Sequence, residues 1–117
     1  MSGTRVVGMA YPYGTSARDE RVMFVIERKT PVRYARNTVS TYEFALQERF
    51  LDWCLTAYHR EDLFSLADRF LTLDAEADSL FYVWGHSYEF DMYDDWGRFE
   101  EFCQKIAGKP DIQYVTN

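Results

Sequence analysis

The sequence predicts an α/β fold: a partial (β/α) barrel-like domain with mostly parallel strands, about four strands and three helices, over residues 1–117. Three observations predict it. Short apolar runs rich in β-branched and aromatic residues alternate with amphipathic stretches at helical spacing. Proline and glycine punctuate the joints between them. Hydrophobic residues make up 47% of a 117-residue chain, enough for one core.

The elements follow in order. Arg5 to Ala10 is a buried strand ending in the turn Tyr11-Pro12-Tyr13-Gly14. Ala17 to Lys29 is a helix with Val22, Val25 and Ile26 at helical spacing, acidic residues Asp19 and Glu20 in its first turn, and Pro31 beyond its end. Arg33 to Thr38 is a short strand, followed by a loop at Val39-Ser40-Thr41 whose two hydroxyls suit nearby backbone. Tyr42 to Tyr58 is irregular, with a helical turn around Gln47 to Trp53. Arg60 to Leu71 is an amphipathic helix with the stripe Leu63, Leu66, Ala67, Phe70 and Leu71. Leu80 to Gly85 is the strongest strand. Asp94 or Asp95 caps a helix carrying Trp96, Phe99, Phe102, Cys103 and Ile106 on one face, ended by Gly108 and Pro110. Ile112 to Val115 is a last strand. All three helical stripes are expected to bury against the sheet.

Composition excludes some functions. A net charge of −6 leaves no basic footprint for nucleic acid and disfavours an anionic membrane surface. No apolar run approaches the roughly 20 residues of a membrane span, and no signal peptide is visible, so the default location is cytoplasmic. Cys54 and Cys103 form neither a disulfide framework nor a zinc motif and are expected to be small buried hydrophobes. The aromatic share of 18% suits a groove with flat faces, as carbohydrate sites use, and equally a Tyr-rich core.

The segment Leu80 to Asp91 carries the chemistry. A strand runs into Gly85 and stops at His86, and acidic and aromatic residues follow. Strands of α/β proteins deliver reactive groups at their carboxyl ends in this way. The run Trp84-Gly85-His86-Ser87-Tyr88-Glu89-Phe90-Asp91 resembles the late motif of a bacterial subgroup of polysaccharide deacetylase-like proteins, carbohydrate esterase family 4. Gly8-Met9-Ala10-Tyr11-Pro12-Tyr13-Gly14 resembles a middle motif, Tyr34-Ala35-Arg36 a strand after it, and Tyr114-Val115-Thr116-Asn117 the closing strand. The resemblance spans nearly the whole chain and maps to the carboxyl-terminal half of that domain.

The resemblance implies an incomplete (β/α) barrel and metal-dependent removal of acetyl groups from the nitrogen or oxygen of sugars. It implies zinc or a similar divalent ion, whose ligands and partnering base lie in Thr-Phe-Asp-Asp and His-x-x-x-His motifs that this chain lacks. It makes His86 the catalytic acid, with Val83 where the family has leucine, and Tyr13 the residue whose backbone N–H meets the oxyanion. Ala10 stands where an anchoring arginine would be. Asp52-Trp53 corresponds to a motif that orients the histidine and walls the groove, with Arg49 replacing its first aspartate; a helix face with Trp53 packed inward is the alternative. Tyr11, Pro12 and Trp84 complete the expected sugar-binding set, and Trp84 serves equally as core. Histidine itself suits proton donation, since imidazole titrates near neutrality. Glu89 and Asp91 either tune His86 or act as helix caps, and His59 is expected at the surface or a helix start.

Three readings stay open. The chain is the acid-bearing portion of a hydrolase, inactive alone, with metal and base from a complementary amino-terminal half. Or it binds acetylated oligosaccharide or polysaccharide without chemistry, through Tyr11, Tyr13, Trp53, Trp84 and Tyr88. Or it is an oligomerising module whose exposed sheet edge a second copy covers.

Overall fold

The computed structural model describes residues 3–74 and 76–116. The architecture is α/β, and every paired strand is parallel. In chain order the elements are β1 (Gly8–Ala10), α1 (Glu20–Lys29), β2 (Tyr34–Ser40), β3 (Trp53–Leu55), β4 (Ala57–Tyr58), α2 (Leu63–Leu71), β5 (Val83–Trp84), α3 (Tyr88–Tyr93) and α4 (Trp96–Ile106). Short 3₁₀ turns occupy Gly14–Ala17 and Phe50–Asp52. The sheets run β1-β2-β3 and β4-β5 and close no barrel.

Thr56 joins the two sheets. It separates β3 from β4, donates its N–H to the Tyr82 carbonyl at 2.9 Å, and accepts at its own carbonyl from Tyr42 N at 3.0 Å. Its hydroxyl donates to the Glu43 carbonyl at 3.1 Å and accepts from Tyr82 N at 3.0 Å. A buried residue whose every polar group is paired can make this hand-over without a desolvation penalty. The region expected to be irregular therefore holds two strands. Trp53 to Tyr58 is a short apolar run, and such runs fit helix or strand equally until a neighbour pairs with them.

Two apolar clusters hold the chain. Leu63, Leu66 and Ala67 of α2 pack with Phe44, Ala57 and Phe102, and Phe70, Phe81 and Phe99 close around them. Burying Leu63 alone stabilises by about 2 kcal/mol. A smaller cluster joins Tyr11, Met23 and Ala35 with Met9, Ile26 and Leu51. Asp19 caps α1 by accepting from Val22 N at 2.8 Å, and Asp62 caps α2 by accepting from Ser65 N at 3.1 Å.

Several expectations are corrected. β1 is only three residues long, and Val6 and Val7 before it are exposed. The inward face of α1 is Met23 and Ile26; Val22 and Val25 face solvent. A stripe at helical spacing shows which residues share a face, not which face is covered. β2 extends through Ser40. Tyr88–Tyr93 forms a helix of its own, closed by Asp94 at φ 53, and Asp95 starts α4. Cys103 is exposed, and both cysteines are free thiols. No strand forms at Ile112 to Val115. There the Tyr114 hydroxyl donates to the Ile106 carbonyl and accepts from Lys109 N, fastening the tail to the end of α4. Asn117 lies outside the described residues. Among these residues no helix is long and apolar enough to cross a membrane.

Candidate functional site

The site forms where β4 and β5 end. These strands run parallel with Ala57 opposite Val83 and Tyr58 opposite Trp84, so the next residues, His59 and Gly85, emerge side by side. His59 N donates to the Trp84 carbonyl at 2.9 Å and continues the ladder. The His59 ring lies so close to Gly85 that a Cβ there would overlap its Cδ2 and stand 2.8 Å from Cγ. Glycine is required here for space.

His86 follows one residue later and turns the chain into α3. Its carbonyl accepts from Glu89 N at 3.0 Å, which brings the Glu89 side chain back over the histidine. Glu89 Oε1 lies 2.6 Å from His86 Nδ1, and Glu89 Oε2 lies 3.6 Å from His59 Nε2. One buried carboxylate thus faces two imidazoles. The two rings differ in exposure: His59 is 2% exposed, whereas the His86 side chain is 48% exposed.

His59 is walled by Tyr58 and Phe90, with ring centroids at 4.6 Å and 4.5 Å. Arg98 holds the backbone behind it, donating to the His59 carbonyl at 2.8 Å and to the Glu61 carbonyl. Burial pushes the His59 pKa below its ordinary value; the Asp95 carboxylate opposes this, and the Arg60, Arg98 and His86 charges add to it. Neither ring nitrogen of His59 has a hydrogen-bond partner among the described residues, nor does the indole nitrogen of Trp84.

Around His86 lie flat faces. Trp84 meets it edge-on at 5.6 Å, and Tyr88, itself 60% exposed, lies tilted at 5.3 Å. With its proton on Nδ1 donated to Glu89, the outward Nε2 becomes the working atom. Protonated at Nε2 as well, a histidine so oriented can give that proton to a leaving group.

The other predicted residues collect elsewhere, around β1, β2 and the turn before β3. Tyr11 is buried in the smaller cluster, and its hydroxyl donates to the Leu51 carbonyl at 2.6 Å. Burial, then the Asp52 carboxylate, raises its pKa. Asp52 is committed to Arg18 and to Asn37 Nδ2 at 2.9 Å, not to a histidine. Trp53 stacks on Phe50 at 5.5 Å. Pro12 is exposed, and Tyr13 is 95% exposed at φ 58, its carbonyl accepting from the Ser16 hydroxyl at 2.9 Å. Arg36 spans the two groups: its backbone pairs with Ala10 and Trp53, and its guanidinium lies over the Trp84 ring at 5.2 Å.

His59 is thereby corrected from a surface position to the interior of the site, and Glu89 from an open choice between cap and tuner to the partner of His86. Glu89 has a signal in the sequence, because it stands three residues beyond His86, and a helical turn brings such residues together. His59 has none, since its role depends on the pairing of β4 with β5.

Zinc sites need three or four donors with free lone pairs converging near 2.0–2.3 Å. Among the described residues no group of three His, Cys, Asp or Glu side chains could hold a metal ion. His86 and Glu89 are spent on each other, so the residues here do not fit the ion that the resemblance implies. The chain matches no protein-family model, no curated protein and no solved structure.

Proposed function

We propose that this chain is the acid-bearing part of a polysaccharide deacetylase-like hydrolase acting on N- or O-acetylated sugars, and that it releases no acetate alone. The observation that carries this reading is the His86–Glu89 pair at the carboxyl end of β5, with Oε1 and Nδ1 2.6 Å apart and the ring open to solvent. The resemblance at Trp84 to Asp91 supports the substrate class.

In this reading Glu89 accepts a hydrogen bond from Nδ1–H and fixes the ring, and the imidazolium form of His86 gives its Nε2 proton to the departing amine or alkoxide and ends as the neutral Nδ1–H tautomer. Each such transfer contributes roughly 10²–10⁴-fold. Trp84 and Tyr88 offer flat faces to the sugar. Pro12, Tyr13 and Trp53 lie around β1, β2 and the turn before β3; in this reading the Tyr13 N–H is the oxyanion donor, Tyr11 supports that turn from within the core, and Asp52, held by Arg18 and Asn37, does not orient the histidine. A divalent ion and the base that activates water would come with a complementary amino-terminal half.

The test is acetate release from acetylated chitooligosaccharides in zinc, by the chain alone and mixed with an amino-terminal half bearing the two missing motifs. No release alone, release from the mixture, and loss with His86→Ala are expected. Release by the chain alone would refute the incomplete site. A silent mixture that still binds the sugar in chelator would favour the second reading, a non-catalytic carbohydrate-binding module, for which the exposed Tyr88 ring beside His86 is the supporting observation. No binding at all would refute both.

A further inference from the structure

We propose that His59 is a positioning residue for His86, acting through Glu89: while neutral it leaves the carboxylate to His86 Nδ1, and its protonation draws the carboxylate away from that bond. The proposal rests on the acid reading of His86 only for its meaning in catalysis.

The geometry is that of one carboxylate between two rings. Oε1 makes a full hydrogen bond to His86, while Oε2 stands 3.6 Å from His59 Nε2, beyond hydrogen-bond length yet in direct line for charge. A neutral His59 leaves Glu89 to His86. A protonated His59 would draw Oε2 in to about 2.8 Å, the length of a charge-assisted bond, a shift of roughly 0.8 Å. Glu89 cannot follow both rings, because its backbone is tied to His86 by the first turn of α3. His59 cannot move toward Glu89 instead, since Tyr58, Phe90 and Gly85 pack against its ring. The carboxylate is the part that gives.

Groups from every packed element face His59: Glu89 from α3, His86 from the loop after β5, Arg60 after β4, and Asp95 and Arg98 from the start of α4. Burial and three of these cations oppose its protonation, and Asp95 favours it. The release therefore belongs to the acid side of the ordinary histidine value.

The chain has two histidines, so nitrogen-15 imidazole NMR resolves the network in the intact protein without substrate. At neutral pH His86 is expected as the Nδ1–H tautomer. On acidification the His86 Nδ1 signal is expected to show a second inflection coincident with the titration of His59. Asp95→Asn is expected to move that inflection to lower pH, together with His59. His59→Phe, which keeps a ring, is expected to abolish it and to leave His86 as the Nδ1–H tautomer at neutral pH. A single inflection in the wild type, or a folded His59→Phe protein that keeps the second inflection, would overturn the proposal. If His59→Phe does not fold, the wild type and Asp95→Asn decide. With no sugar present, failure here is separate from failure of the acetate assay.

Discussion

Gly85→Ala probes the heart of the site. The new Cβ would overlap His59 Cδ2 and stand 2.8 Å from Cγ and 3.0 Å from Nε2. Carbon contacts settle near 3.5–4.0 Å, so relief of the Cδ2 overlap requires the ring to retreat by about 1.5 Å or more. It has nowhere to go, because Tyr58 and Phe90 flank it and Phe90 in turn packs on Trp96 and Phe99 at 4.7 Å and 4.8 Å. Overpacking of this kind costs about 3 kcal/mol. For a domain of this size that lowers Tm by about 10 °C. The control is Gly97→Ala in α4, where a Cβ meets nothing within 4 Å. There the same substitution is expected to stabilise by roughly 0.5–1 kcal/mol, because alanine is the better helix former. Urea unfolding followed by tryptophan fluorescence measures both. In a His59→Ala background the obstructing ring is gone, so most of the Gly85→Ala cost is expected to vanish as a coupling energy. A cost below 0.5 kcal/mol, or one undiminished beside His59→Ala, would refute the close approach of Gly85 and His59.

Three further outcomes are expected. Asn37 is fully buried, with Nδ2 on Asp52 at 2.9 Å and Oδ1 accepting from Val39 N at 2.8 Å; Asn37→Ala removes both bonds and is expected to cost about 2 kcal/mol in urea unfolding. Asp19→Ala removes the α1 cap and is expected to cost about 1 kcal/mol, read as a fall in melting temperature. Because the His59 pKa is depressed on folding, its contribution is whole above the unfolded value of about 6.5 and is lost as pH falls through the folded value; the pH slope of stability between about 7.5 and 5.5 should be shallower in His59→Phe, and an unchanged slope would count against a buried neutral imidazole.

The sequence was legible where local physics decides. The alternation of apolar runs and amphipathic stretches yields the α/β class and its parallel pairing, while the start of α1 was read three residues early, since Asp19 is its cap and not part of its first turn. The stripe Leu63, Leu66, Ala67 identifies a buried face because α2 packs on α4 and the sheet. Val22 and Val25 show the limit of the same reasoning, since the periodicity of α1 is sound but Met23 and Ile26 are the residues another element covers.

The place of His86 after a strand end was legible, and its partner Glu89 was within reach once a helical turn is placed at Tyr88. The setting of His59 was not. Its side chain gains a carboxylate neighbour and loses solvent only because β4 lies beside β5 in register, a pairing between segments more than twenty residues apart along the chain. The sequence by itself determined the class, the buried stripe of α2 and the histidine at a strand end, since these follow from spacing within one or two turns. The tertiary structure alone decided which polar groups share a buried site, because strand pairing is non-local and no single segment carries its signature.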